Sequence, residues 1–129
     1  DVERSRGLGD VYKRQTDAEQ TKLSQLNAVN TQTGTSYTLS LVDNGGFVTI
    51  DNAGANTVTI DPIGTTAYPV GYIATIIVLG TGTTTITAAA GVSINGVTAS
   101  SVDIGAQYYP VTVYHVATDT WVVDPDKVV

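Results

Sequence analysis

The chain has 129 residues, a length that suits one domain, and 42% of them are apolar, enough for a packed core. Its formal net charge is −6, and no Lys or Arg lies between Leu23 and Asp126. Binding to nucleic acid or to an anionic membrane surface depends on cationic side chains, so this distribution argues against both. The longest apolar run, residues 72–79, is of strand length and too short for membrane insertion. Without Cys, disulfides and thiolate chemistry are excluded.

Residues 1–15 differ from the rest of the chain. They hold four of the six cations and show neither helix nor strand periodicity. Residues 9–15 resemble translated sequencing-adapter sequence, which would make residues 1–15 a non-native or disordered arm. A natural partner-binding arm is the alternative. We expect residues 1–15 to be dispensable for folding and assembly.

Residues 16–31 are predicted to form a short helix. Thr16 and Glu19 fit a capping box, in which both side chains accept hydrogen bonds from opening backbone N–H groups. Leu23, Leu26 and Val29 then recur every three residues as one narrow apolar stripe. Because so short a helix is marginal alone in water, we expect the stripe to pack on the β domain or against copies of itself.

Residues 32–129 are predicted to form an all-β domain. Apolar and polar residues alternate in segments such as 37–41 and 57–60, and turn signals such as 43–46 separate them. Eight or nine short strands with a turn about every ten residues are typical of a β-sandwich or jelly roll. The nearly continuous apolar run at 72–79 predicts a strand covered on both faces. No repeat holds a constant period, which argues against a solenoid.

The sequence predicts neither an enzyme nor a cofactor, and no catalytic, cofactor-binding or metal-ligating residue is assigned. His115 is the only histidine, and it alternates with Val111 and Val113, which favours an interior position. The Asp residues of the domain fall at predicted turns or strand ends, where Asp bonds to its own backbone. This placement disfavours a carboxylate pair for glycoside hydrolysis.

Three other kinds of site are weighed and none is assigned. The segments 43–44, 51–52 and 124–126 offer hard oxygen ligands for calcium, but none has EF-hand spacing, so a bound calcium ion stays open. Thr-x-Thr elements such as Thr57/Thr59 are similar to ice-binding ladders, but their unequal intervals favour ordinary solvent-facing Thr. Tyr108 and Tyr109 are the best candidates for a sugar-stacking surface, although a core position is favoured for them and for Trp121.

Several short motifs, in this order, resemble a domain that recurs in virion proteins of tailed phages. The motifs are residues 32–39, 42–46, 56–60, 68–71, 86–92 and 120–123. They are most similar to the C-terminal appendage domain of tail-fibre-like proteins from environmental phages. The resemblance spans about residues 32–123.

This resemblance implies a homotrimer in the virion, assembled in the host cytoplasm and then extracellular, that joins other virion proteins and attaches to a host surface. It implies no catalytic or metal residue. From the acidic body we expect a neutral glycan or a protein as receptor. A capsid-decoration or head-fibre protein is the first alternative, and a glycan-degrading domain is the second. The absence of Lys and Arg from the body departs from the family pattern and leaves the charge preference of the ligand open.

Overall fold

The computed structural model describes residues 28–125. In this range the chain forms two β-sheets around one hydrophobic core, which confirms the predicted all-β class. The only helical segment among these residues is a 3-10 turn at Leu41–Asp43. The eleven strands of this part of the chain are β1 (Val29–Gln32), β2 (Ser36–Thr38), β3 (Phe47–Ile50), β4 (Asn56–Ile60), β5 (Ile73–Val78), β6 (Thr84–Ala88), β7 (Ser93–Ile94), β8 (Val97–Thr98), β9 (Ser101–Ile104), β10 (Val111–Ala117) and β11 (Thr120–Asp124).

The first six strands form three turns of a coil, which we call rungs. Each rung contributes one strand to the larger sheet and the next to the smaller sheet, as β1 and β2 do in the first rung. Successive rungs pair in parallel, so that Val29 lies beside Phe47 and Phe47 beside Thr75. The smaller sheet repeats this arrangement through β2, β4 and β6. The expectation that this chain is not a solenoid is therefore wrong for residues 28–88.

The later strands pair with the last rung and run antiparallel to its strands. Strand β9 pairs antiparallel with β6, and β10 pairs antiparallel with both β5 and β11. The larger sheet thus has the order β1-β3-β5-β10-β11-β7-β8, and the smaller one has the order β2-β4-β6-β9. A jelly roll is built from antiparallel strands. The parallel rungs show that this chain is connected differently.

Unequal connections explain why the repeat is not visible in the sequence. Residues 39–46 link β2 to β3, whereas the longer segment 61–72 links β4 to β5. The corners between the two sheets, such as 51–55 and 79–83, are short and similar. Since loops of different length join strands that stay in register, the period changes from rung to rung while the stacking persists.

The core lies between the two sheets and follows from the alternation of each strand. Strands β4 and β6 bury every second residue, and β5 buries Ala74, Ile76 and Val78. Trp121 and His115 are buried beside them, as the sequence predicts. At about 1.5–3 kcal/mol for each fully buried large apolar side chain, this burial is the main stabilising contribution.

The predicted helix at 16–31 is wrong at its C-terminal end. Val29 to Gln32 form β1, and the carbonyl oxygens of Ala28 and Gln32 accept hydrogen bonds of 2.8 Å from Phe47 and Asp51. Pairing with a distant strand overrides the local helical pattern, and β-branched residues favour the pleated backbone. The rest of that prediction, with Leu23 and Leu26, and the predicted arm at 1–15 lie outside the described residues.

The prediction that the run at 72–79 is covered on both faces is also wrong within residues 28–125. Ile73 is 43% exposed, and Thr75 and Ile77 on the same face of β5 are partly exposed. Only the face of β5 that carries Ala74, Ile76 and Val78 contributes to the core. An apolar run predicts burial, but it does not show whether the chain itself supplies both covering layers.

Candidate binding site

A polar network closes the core at the first rung. Asn30 and Gln32 occupy positions on β1 that in the next rungs are apolar, and Tyr37 on β2 lies in register with buried Val58. The Asn30 amide donates hydrogen bonds to the Tyr37 hydroxyl (2.7 Å) and to Oδ1 of Asp43 (2.9 Å). Gln32 donates in turn to Asn30 (2.8 Å).

Asp43 is the centre of this network and is buried. Its Oδ2 accepts a hydrogen bond of 2.5 Å from the Tyr37 hydroxyl and one of 2.9 Å from the Ser40 backbone N–H. Burial, and then the hydrogen bond to Asp43, raise the pKa of Tyr37 well above its usual range. The tyrosine therefore acts as a neutral donor to the carboxylate. The sequence does not predict this network, because its only signal is polar residues such as Asn30 at inward positions of a strand whose local pattern favours a helix.

A cluster of four aromatic rings fills the core beneath the segment 61–72. Tyr68 and Tyr72 meet edge to face with centroids 5.1 Å apart, and the rings of His115 and Trp121 stack with centroids 4.7 Å apart. The Tyr68 and Tyr72 hydroxyls donate bonds of 2.6 Å to the carbonyl oxygens of Leu39 and Ser40. Burial raises the pKa of both tyrosines.

His115 has a fixed orientation in this cluster. Its Nδ1 lies 2.9 Å from the Pro69 carbonyl oxygen, and because a carbonyl only accepts, Nδ1 carries the proton. Nε2 of His115 and Nε1 of Trp121 are buried without a hydrogen-bond partner in the described part of the chain. The ring therefore anchors the loop at Pro69 from inside the core.

Three other Asp side chains of the described residues accept hydrogen bonds from groups of the protein itself. Asp61 accepts from Thr66, Asp119 accepts from the Ile63 N–H, and Asp103 accepts from Thr85 on the outer face of the smaller sheet. Asp103 lies within β9, so its predicted place at a turn or strand end is wrong. Among residues 28–125 there is neither an enclosed pocket nor a group of three or more His, Asp or Glu that could hold a metal ion.

In two of the candidate calcium segments, the Asn side chains bond to the protein itself. Asn44 Oδ1 accepts from the Ile73 N–H, beside the polar network of Asp43. Asn52 Oδ1 accepts from the Gly54 N–H, and the Asn52 amide donates to the Thr33 carbonyl oxygen (2.7 Å). The side chain of Asn52 thus joins the corner of the second rung to that of the first.

The loop at residues 105–110 continues this row of corners and carries two exposed aromatic rings. The Tyr108 N–H donates to the Val78 carbonyl oxygen, and the Gln107 amide donates to the Leu79 carbonyl oxygen, both at 2.8 Å. Tyr108 is 70% exposed and Tyr109 is 48% exposed, so the core position favoured for them from the sequence is wrong. We call the part of this loop that carries Tyr108 and Tyr109 the aromatic loop.

Tyr108 adopts a backbone conformation that is rare for a bulky residue. Its φ is +61°, in the left-handed region, which costs on the order of 1 kcal/mol or more. The hydrogen bonds at Val78 and Leu79 hold the loop in this conformation although the Tyr108 ring itself buries little surface. A strained backbone that presents an exposed aromatic ring is a feature that binding sites often show.

The outer face of the smaller sheet is covered with hydroxyl groups. Thr57 and Thr59 lie in register with Thr85 and Thr87 of the next rung, and all four are partly exposed. We call these side chains, together with Ser36, Thr38, Ser101 and Asp103 of the neighbouring strands, the hydroxyl face. The unequal sequence intervals therefore do not prevent stacking of these Thr residues. Their half-buried positions fit the prediction of solvent-facing Thr on strands.

No protein-family model and no curated protein matches the chain. None of the helical segments in residues 28–125 has the length and apolar character needed to cross a membrane.

Proposed function

We propose that this chain is a structural and binding module of a phage virion appendage that attaches to a host surface through the aromatic loop. The single observation that carries the binding role is the pair of exposed rings of Tyr108 and Tyr109 on a backbone fixed at Val78 and Leu79. The virion assignment rests on the resemblance of residues 32–123 to tail-fibre-like proteins. The proposed appendage is a homotrimer of β-sandwich-like domains. Its exposed loops bind the host surface, and it has no catalytic role.

The chemistry of the loop favours a neutral glycan as the ligand. Tyrosine rings stack on the apolar faces of sugars, and their hydroxyls donate and accept hydrogen bonds. Ordering an already fixed loop costs little conformational entropy on binding, which favours affinity. Residues 28–125 carry six Asp and no Lys or Arg, so nothing in them attracts sulfate, phosphate or sialic acid.

Binding of the full chain to an array of neutral, sialylated and sulfated glycans tests this proposal. We expect neutral glycans to bind, and Tyr108→Ala or Tyr109→Ala to weaken binding by about tenfold or more, as truncation of an aromatic hot spot does. Tyr108→Phe keeps the ring and should retain most of the affinity. Thr87→Ala on the hydroxyl face is the matched control. Binding that survives both Tyr→Ala changes would reject the aromatic loop as the site.

Two further measurements separate the rival functions. Labelling of virions with an antibody against the chain would mark the tail for an appendage and the capsid shell for a decoration or head-fibre protein. Release of reducing sugar ends from a bound polysaccharide would favour a glycan-degrading domain. We expect labelling of the tail and no release.

A further inference from the structure

The two outer faces of the sheets differ sharply in chemistry. The hydroxyl face of the smaller sheet carries Thr, Ser and one Asp. The outer face of the larger sheet carries large apolar side chains among four Thr residues, Thr31, Thr49, Thr75 and Thr112. We call the following residues the apolar face: Val29, Phe47, Ile73, Ile77, Tyr114 and Val122.

Strand register brings these apolar side chains near one another, with Thr75 and Thr112 between Phe47 and the end of β11. Tyr114 pairs directly with Ile73 on one side and with Val122 on the other, which forms an apolar row across β5, β10 and β11. Val29 pairs with Phe47 on β3, and Phe47 pairs with Thr75 on β5. Thr75 and Ile73 lie two residues apart on the same face of β5, so Phe47 is a diagonal neighbour of Ile73. Directly paired side chains lie about 5 Å apart and diagonal neighbours about 7–8 Å apart, close enough for large side chains to touch.

Half of the apolar face is exposed to solvent in the described part of the chain. Val29, Ile73 and Val122 are all exposed on the face itself. Two loops border its Ile73 end, because Asn44 and Gly45 bond to the Ile73 backbone and Gly71 bonds to His115. Those loops and the adjoining bulge also contain exposed apolar side chains, Leu41, Val42, Val70 and Val116. Clusters of exposed apolar side chains often mark an interaction site.

The charges of the domain indicate which partner fits. Five of the six Asp in residues 28–125 lie off the apolar face: Asp43 is buried, and the others are in a corner, a loop, a hairpin turn and the hydroxyl face. Only Asp124, at the end of β11, shares the outer side. Two copies of this acidic domain would repel each other through most surfaces, but they can meet through this one, which carries almost no charge.

We propose that the apolar face is covered by other copies of this chain and forms the interface of a homo-oligomer. Packing of this face against the same sheet of neighbouring copies buries the apolar rows, with stacked sheets about 10 Å apart. The inference deepens the proposed structural role, but its test does not depend on glycan binding, because the aromatic loop and the apolar face share no residue.

Sedimentation of the full chain at micromolar concentrations tests the interface. We expect an oligomer for the natural sequence and monomers for Tyr114→Lys and Val122→Lys, since a buried unpaired charge disrupts the contact. Thr59→Lys on the hydroxyl face is the matched control and should remain oligomeric. Near-ultraviolet circular dichroism of Trp121 checks that each variant is folded, and Val122→Thr is a milder substitute if a Lys variant unfolds.

Two results would overturn the proposal: a monomer for the natural sequence, or an oligomer that persists in folded Tyr114→Lys and Val122→Lys. If the natural sequence is a monomer, deletion of residues 1–27 provides a further test. Association of the shortened chain alone would show that residues 1–27 cover the apolar face of their own chain. Normal glycan binding by a monomeric Tyr114→Lys variant would show that the two surfaces act separately.

Discussion

The backbone N–H of Gly82 donates a hydrogen bond of 3.0 Å to the carbonyl oxygen of Asn52, which places the corner of the third rung directly on that of the second. A Cβ at Gly82 would overlap the backbone of Gly54, which lies with Asn52 in the corner of the second rung. The parallel stacking of the rungs thus requires a residue without a side chain at this position.

We therefore expect Gly82→Ala to lower the free energy of unfolding by about 1–3 kcal/mol, the usual cost of forcing atoms into a close-packed site. Gly64 is the matched control, because an added Cβ there meets nothing within 4 Å. Gly64→Ala should stay within about 1 kcal/mol of the natural sequence. Urea denaturation measures both, and equal effects of the two changes would contradict the close contact.

Asp43→Asn should destabilise the first rung by about 1–3 kcal/mol. The carboxylate accepts from three donors, Asn30, Tyr37 and Ser40, whereas an amide has one oxygen and would turn its NH₂ group toward a donor. Asp103→Asn is the control, because Asp103 is exposed and bonds only to Thr85. That change should cost no more than about 0.5 kcal/mol. A neutral effect of Asp43→Asn in thermal unfolding would show that the network is not closed as described.

Stability should fall at alkaline pH. Burial raises the pKa of Tyr37, Tyr68 and Tyr72 in the folded chain, while the unfolded chain loses these protons near the ordinary tyrosine value of about 10. Above that pH the unfolded state binds fewer protons than the folded state. Each tyrosine that stays protonated then lowers stability by at most about 1.4 kcal/mol per pH unit, and Tyr37 by less, because solvent reaches and screens its ring. Their stabilising contribution is complete below about pH 10 and is lost as the pH rises toward the folded values.

Chemical denaturation at a series of alkaline pH values measures this slope. In Tyr72→Phe the slope should be shallower than in the natural sequence, although the variant starts from lower stability because it loses the bond to the Ser40 carbonyl oxygen. An unchanged slope in that variant would mean that Tyr72 releases its proton without unfolding.

Glycan binding should depend only weakly on salt. The described residues offer no cation for an anionic ligand, and hydrogen bonds and ring stacking are little screened by ions. Titration calorimetry at low and high ionic strength measures the effect, with Tyr108→Ala as the control for the site. Tight binding to heparin that weakens steeply with salt would contradict this, and deletion of residues 1–15 would then test whether their cations supply the contact.

The candidate sites were predicted from the sequence to different degrees. The interior positions of His115 and Trp121 follow from alternation with Val, and the structure confirms them. The exposure of Tyr108 and Tyr109 was not predictable, because a Tyr-Tyr-Pro segment fits both a core and a surface. What exposes these rings is the anchoring of the loop to the end of β5, a contact with residues far away in the chain.

The sequence by itself determined the all-β class, the acidic body without cations and the inward residues of strands such as β4 and β10. Each of these is a local property, since alternation within one strand already separates a buried face from an exposed one. Only the tertiary structure decided that β1, β3 and β5 stack in parallel, that Val29 to Gln32 are a strand, and that β5 leaves Ile73 uncovered. Strand partners are chosen by hydrogen bonds and packing between residues distant in the chain, and loops of unequal length hide those partners from any local pattern.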